Sequence, residues 1–425
     1  MDSAQPTTPI AKSNHMTTTR TTFLPRLAAL LLAFLAATNI AGAADYALTH
    51  ANVFNGVDNR IAENVTVLVH EGKITAINGA DATIPAGYQV IDCQGNYLLP
   101  GLFDVHTHLD NLDQAKRALE SGVTTVRSAS TPAFQDVTIR ELARAGKIPG
   151  PDMVAAGVYV TPNLDDSVLA DPRLAPLFDG VHSDEQLRAL VNINIDRGVD
   201  VIKTRGTERA GRADTDPREQ VYTEHQLRVV VEEAAKRKVP VMVHAHGDEG
   251  ARAAVLAGAR SIEHGSYLSV ETLTLMKARG TWLVPTYVTM DEMNEQKYEA
   301  ALRLRGRYMV PQLEQVIRNA HALGVKIATG ADNYYEPESV NRISVEAEQL
   351  VRLGLSNFEA LQSATTSSAE LLLLQDKTGQ ISEGFEADMI LVPANPLTDI
   401  TALQDILLVM SNGQLALKRI PFGLE

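Results

Sequence analysis

Between Gly101 and Gly330 short apolar stretches recur eight times, each followed by residues at helical spacing, and this alternation constrains the fold more than any other feature. The stretches are Gly101–His108, Thr124–Ala129, Asp152–Gly157, Val199–Thr204, Pro240–His246, Ser261–Gly265, Thr281–Pro285 and Lys326–Gly330. Helical segments such as Thr223–Arg237 and Gly250–Ala257 lie between them. Strands that alternate with helices predict a parallel sheet covered by helices. Eight such units across residues 99–372 match an α/β fold of the (β/α)8 TIM-barrel type in number and length. A doubly wound open sheet competes with this. It usually carries a Gly-rich phosphate turn, however, and no G-x-G-x-x-G follows a strand here.

Both flanks are β-rich. Residues 44–98 read as short strands (Ala47–Val53, Val65–His70, Lys73–Ile77, Tyr88–Asp92) punctuated by Gly72, Gly79 and Pro85-Ala-Gly87. Residues 373–425 repeat the pattern at Gly379–Ile381, Ala387–Val392, Ile406–Met410 and Gln414–Lys418. The two ends are expected to meet in one small β-sandwich. Residues 1–43 are set apart from the fold. Arg20 and Arg26 precede the apolar run Leu27–Ile40 and the small residues Ala41-Gly42-Ala43, the pattern of a secretory signal cleaved near Ala43, with Met16 an alternative start. The run is short for a spanning helix, so a secreted or periplasmic protein without a stable membrane anchor is expected.

Hydrophobic residues make up 45% and charged residues 21%, as in a soluble globular enzyme. The net charge of −14, with no basic run beyond short ones such as that at Arg237-Lys238, argues against a nucleic-acid partner, which requires clustered Lys and Arg. Cys93 is the single cysteine, so a disulfide within the chain and a thiolate metal cluster are excluded. A tightly held metal must then use His, Asp, Glu or a modified Lys. Cys93 itself ends the strand-like Gln89–Cys93 and reads as packing.

Five of the eleven histidines fall at C-terminal ends of the expected strands, the active-site face of such a barrel. In Val105-His106-Thr107-His108 the two rings lie at i and i+2, on one side of a strand, and can converge on a cation. An isolated H-x-H is more often a satisfied core pair, but here further ligand types follow at the later strand ends. Lys203 ends the apolar strand Val199–Lys203, where burial disfavours its charged form and leaves an amine able to take up carbon dioxide as a carbamate. The bland alternative is a lysine salt-bridged to Asp200. His244 and His246 repeat the period-two spacing, so that one can bind metal while the other faces substrate. His264 ends the next strand. Asp332 follows the eighth, where it can bind metal and shuttle a proton.

This order of residues resembles the amidohydrolase superfamily over essentially the whole chain beyond residue 43. It is most similar to the subgroup of imidazolonepropionase-related and prolidase-like enzymes. The matching segments are Leu98–His108, Val201–Lys203, His244–Gly247, Ser261–Gly265, Thr329–Asp332 and Gly379–Asp388. The resemblance implies that His106, His108 and Asp332 hold one divalent ion, that His244 and His264 hold a second, and that carbamylated Lys203 bridges them. Nitrogen and oxygen ligands suit zinc without excluding Mn, Co or Fe. Such a pair would acidify a shared water to a pKa of about 7. Asp332 would move its proton to the leaving amine, and His246 would hydrogen-bond the oxyanion.

Specificity is expected in the loops. The loop Thr204–Arg212 is rich in arginine, and a guanidinium there can grip a substrate carboxylate. Arg205, nearest Lys203, is the first choice and Arg209 the second; Tyr159 can orient a carbonyl. The prolidase-like relatives act on dipeptides and N-acyl amino acids, including some that cleave the amide of ochratoxin. Many carry Gly-Gly-His after the third strand, where this chain reads Gly157–Asn163. The expectation is hydrolysis of a peptide or N-acyl bond in a small-molecule substrate, by a protein that forms homo-oligomers. The alternatives are a deaminase or cyclic-amide hydrolase, a lactonase or phosphotriesterase, and a secreted protein that merely sequesters zinc.

Overall fold

The computed structural model describes residues 44–339 and 342–420; the expected signal segment 1–43 lies outside the described residues. Among those described, no helix is long and apolar enough to cross a membrane.

The chain begins with β1 (Tyr46–Phe54), β2 (Ile61–His70), β3 (Lys73–Gly79), β4 (Gln89–Asp92) and β5 (Tyr97–Pro100). The central region contributes β6 (Leu102–Thr107), β7 (Val123–Ser128), β8 (Asp152–Val154), β9 (Ile202–Arg205), β10 (Val241–Ala245), β11 (Ser261–His264) and β12 (Trp282–Val284). It ends with β13 (Met389–Val392), β14 (Leu408–Ser411) and β15 (Gln414–Lys418).

The strands of the two ends do meet. They form one eight-stranded sheet in the order β15-β14-β13-β5-β1-β2-β3, with β4 also pairing β1. β5 is the seam: it runs parallel to β1 and antiparallel to β13, pairing Pro100 with Met389. Proline at the last position of β5 ends the ladder where its missing N–H costs least. The expected strand at Gly379–Ile381 is not formed, although Ile381 N still donates to Asn55 O at 3.1 Å. Cys93 is buried in the apolar cluster under this sheet, and burial pushes its thiol up to about 12, so it packs.

The central strands are all parallel, in two sheets ordered β6-β7-β8 and β12-β11-β10-β9. Hydrogen bonds continue beyond both sheets. Val160 N donates to Lys203 O at 2.9 Å, joining the stretch after β8 to β9. The expected eighth strand is a run of bridges rather than a regular ladder. Leu283 N donates to Lys326 O and Ala328 N to Leu283 O on one side, while Val105 N donates to Thr329 O and Asp332 N to His106 O on the other. Small residues permit this close fit, since a Cβ on Gly330 would sit 2.7 Å from that of His106.

Helices follow the strands as the sequence predicts. Glu224–Ala235 starts at Thr223, whose side chain and that of Gln226 cap each other's backbone N–H reciprocally. Its Leu227 and Val230 join Leu187, Leu190 and Val191 of the helix Asp184–Asp196 in one apolar cluster with Ile202, Val241, Val243 and Ile262. Burying each such side chain is worth about 1.5–3 kcal/mol. This packing fixes which face of each strand meets the helices, and therefore which face remains for chemistry.

Candidate functional site

Along β9 and β10 alternate residues face opposite ways. Ile202, Val241, Val243 and Ala245 pack with the helices, which turns Lys203, Arg205 and His244 to the other side. His246, one residue past β10, shares that side. The histidine rings converge. Centroid distances are 4.8 Å for His244–His246, 4.5 Å for His244–His264, 4.9 Å for His106–His264 and 5.8 Å for His106–His108. Asp332 Oδ1 lies 3.5 Å from His106 Nε2 and 3.2 Å from His108 Nε2, with Oδ2 3.9 Å from His264 Nδ1. Lys203 Nζ is 3.4 Å from His106 Nε2.

All six residues expected as metal ligands are thus brought together. Two groups of donor atoms lie close enough to share a cation, His106 with His264 and Asp332, and His244 with His246 and His264. His264 belongs to both, and His246 stands among possible ligands as well as at the substrate side.

The outer nitrogens explain why the rings hold these positions. His108 Nδ1 is bonded to Ser130 O at 3.0 Å and His244 Nε2 to Glu208 O at 3.1 Å. A carbonyl only accepts, so each outer nitrogen carries the proton and the inner one presents a lone pair. His106 Nδ1 meets the Glu263 carboxylate at 2.7 Å, which leaves Nε2 as its donor atom. His264 Nδ1 and His246 Nδ1 meet hydroxyls, Thr286 Oγ1 at 2.7 Å and Ser266 Oγ at 2.9 Å.

Burial holds four of the rings neutral, with His106 down at about 4, His246 at about 3, and His244 and His264 well below the usual range. It also lowers Lys203 to about 8. Burial opposes ionisation of Asp332, yet His106, His108 and Lys203 hold its carboxyl down at about 2. The alternative of a Lys203–Asp200 salt bridge is not formed, because Asp200 pairs with Arg140 and accepts from Ala155 N. Among the described residues Lys203 has no ion pair. Neutral imidazoles, an ionised carboxylate and an unpaired buried amine fit divalent cations well.

Sequence reasoning missed the groups beneath the site. Glu263 and His264 are consecutive, yet both reach the same interior, which an extended strand forbids. The left-handed backbone of His264 (φ +72) breaks the alternation, a strain of about 1–3 kcal/mol. Glu263 is itself buried against Arg127, whose Nη2 lies 2.9 and 3.0 Å from its two oxygens, while Arg127 Nε donates to Val105 O. Burial opposes the charge on Glu263, but Arg127 and His106 together hold it down to about 2. Deeper still, Asp104 accepts from His106 N, Ala331 N and the Tyr335 hydroxyl, tying β6 to the loop that carries Asp332. A charged residue inside an expected central strand was the available signal for Glu263 and Arg127. The Glu263→Gln variant is expected to bind divalent metal about 10–100-fold more weakly, because a neutral amide polarises the His106 ring less. Chelator competition reads this directly, and unchanged affinity would show that the carboxylate does not support the ring.

On the substrate side, Arg205 is nearly buried and Nη1 pairs with Glu208 at 3.0 Å. Arg209 lies with its guanidinium 5.4 Å from the centre of the Tyr159 ring and has no ion pair among the described residues. The Tyr159 ring also lies 5.8 Å from Lys203 Nζ, and its buried hydroxyl has no hydrogen-bond partner among the described residues.

The description "Amidohydrolase family" matches residues 97–416. Over 387 residues the chain is 29% identical to an ochratoxinase of Aspergillus niger, covering 80% of this chain and 79% of that one. It is 26% identical over 399 residues to an imidazolonepropionase of Kosmotoga olearia, covering 83% and 89%. A solved Xaa-Pro dipeptidase with methionine bound in its active site is similar in structure, with a TM-score of 0.80 at 26% identity, covering 87% of this chain and 99% of that one.

Proposed function

The chain belongs to the amidohydrolase family, hydrolases that act on amide bonds, and from that premise we propose that it cleaves a peptide or N-acyl bond beside a free carboxylate and releases an amino acid. One observation carries the reading: an unpaired Arg209 and an unsatisfied Tyr159 hydroxyl stand next to Lys203 in a cluster of metal-ready side chains. The relatives named an ochratoxinase and an Xaa-Pro dipeptidase support the bond type.

In this reading the two parallel sheets are arcs of one (β/α)8 barrel spanning 99–372, and residues 44–98 and 373–425 make a composite sandwich. The bonds from Val160 to Lys203, and those of residues 326–333 to β12 and β6, support closure. His106, His108 and Asp332 would hold one ion and His244 and His264 the other, zinc suiting these ligands. The Lys203 amine would add to carbon dioxide, forming an N–C bond and releasing one proton, to give the bridging carbamate. Two divalent ions bound there would supply an acidified water and polarise the scissile carbonyl.

The chain's own groups do the rest. Asp332 takes the proton of the attacking water and passes it to the leaving nitrogen. If the Ser266 hydroxyl donates to His246 Nδ1, then His246 Nε2 carries the proton and donates it to the oxyanion. The Tyr159 hydroxyl offers a second donor. Arg209 takes the substrate carboxylate, since Arg205 is already neutralised by Glu208.

This assignment is tested with an N-acyl amino acid and its carboxyl-amidated analogue. Arg209→Ala is expected to raise KM for the acid about tenfold or more, the worth of a charge-assisted hydrogen bond of ~1.5–3 kcal/mol, and to leave the amide unaffected. An equal effect on both would remove Arg209 from carboxylate binding.

A further inference from the structure

The loop after β9 is a short hairpin. Val221 N donates to Gly206 O at 2.8 Å, Glu208 N donates to Glu219 O at 2.9 Å, and Thr207 bridges Gln220. Its root is fixed by packing: Gly206 and Gly250 approach so closely that a Cβ on Gly206 would sit 2.6 Å from the Gly250 carbonyl oxygen. The ladder carries the Glu208 carbonyl that holds His244, and Arg209 stands one residue beyond it. Within the tip the Thr215 hydroxyl is shared between Arg209 O at 2.6 Å and Arg212 O at 2.9 Å. Gly211 has open space around it, and Arg212 and Asp214 are exposed and pair with each other.

Arg305, from the helix Ala300–Leu323 almost a hundred residues on, reaches across to this tip. Its Nη1 donates to Ala210 O and Arg212 O, and its Nη2 donates to Thr215 O and, at 3.4 Å, to Ala213 O. Among the described residues, these are the hydrogen bonds that reach 210–215 from outside the hairpin. One planar guanidinium with five N–H groups can serve four carbonyls that point inward around it; a lysine ammonium, with three donors on one atom, cannot.

We propose that Arg305 is a positioning residue that orders the hairpin tip and thereby sets the Arg209 guanidinium for a carboxylate-bearing substrate. The proposal rests on the reading that Arg209 binds that carboxylate. Its physical content is preorganisation. A tip already ordered does not have to be ordered at the expense of binding energy when substrate arrives. Loss of Arg305 should therefore appear in KM rather than kcat, because the ladder and the Gly206–Gly250 contact still hold Glu208.

The experiment uses full-length protein with Arg305→Ala and Arg305→Lys, and two readouts. Limited trypsin digestion with mass-spectrometric mapping follows cleavage after Arg212, which requires a mobile tip and no knowledge of substrate. Steady-state kinetics compares an N-acyl amino acid with its carboxyl-amidated analogue. Arg305→Ala is expected to be cut at least tenfold faster, with KM for the acid up about tenfold, kcat within about threefold, and KM for the amide unchanged. Arg305→Lys should fall between it and the wild type, and serves as the test if the alanine variant does not fold. Faster cleavage with equal KM increases for acid and amide would uphold the anchor and overturn the carboxylate reading beneath it. Wild-type cleavage and wild-type KM would overturn the proposal. So would a fall in kcat and thermal stability with the acid-to-amide KM ratio unmoved, which marks a merely structural contact.

Discussion

Asp332→Asn is expected to yield a folded protein whose kcat/KM has fallen about 10^3-fold, the ~4 kcal/mol that a positioned proton acceptor supplies. Asparagine isolates the chemistry here. Asp332 sits in the left-handed region (φ +47), which asparagine also adopts readily, so the backbone and the bond from Asp332 N to His106 O need not move. The amide oxygen would still offer a neutral lone pair to a cation held with His106 and His108, and the remaining proposed ligands are intact. The lost property is the ability to take up a proton and return it. Thermal unfolding should match the wild type, and turnover of dipeptides and N-acyl amino acids should not. Full activity in this variant would transfer the proton to another group and end the proposed mechanism, although the fold would stand.

Lys203→Ala separates two ions from one. Lys203 is buried, has no carboxylate ion pair among the described residues, and stands 3.4 Å from His106 Nε2. Without the proposed Lys203 carbamate, two divalent ions would face a single formal negative charge from Asp332. Their mutual repulsion in a partly dry site would expel one of them. Activity is then expected to fall by roughly 10^3-fold, since acidification of the attacking water depends on the local cation charge. The truncation also leaves room for a small anion, so short carboxylic acids added to the assay should restore part of the rate, and equal concentrations of chloride should not. Near-wild-type turnover by Lys203→Ala would instead fit a single-metal relative such as a deaminase.

How much of this was legible in the sequence differs element by element. His106, His108, Lys203 and His244 could be placed because period-two spacing and strand-end position are one-dimensional signals, and strand packing preserves them. The eighth strand was legible as a place but not as a ladder. Its small residues let residues 326–333 slip between β12 and β6 through bridges, with Gly330 against His106. Glu263 could not be read beside His264, because alternation assigns neighbours to opposite faces and only the positive φ of His264 overrides it. Arg127 escaped notice for a related reason: its partner Glu263 is distant in sequence, and a buried ion pair appears only once the strands are assembled. The order of Arg205 and Arg209 was chosen by distance from Lys203 along the chain. In the proposed reading, burial and the Glu208 carboxylate reverse that preference.

The two donor groupings around His264 make the central claim open to one measurement. It is an anomalous-difference map, collected at the zinc edge, from crystals of zinc-loaded protein. Two peaks are expected, one against His106, His108 and Asp332, the other against His244 and His264, with density extending from Lys203 between them. A single peak held by His244, His246 and His264, with an unmodified Lys203, would contradict it.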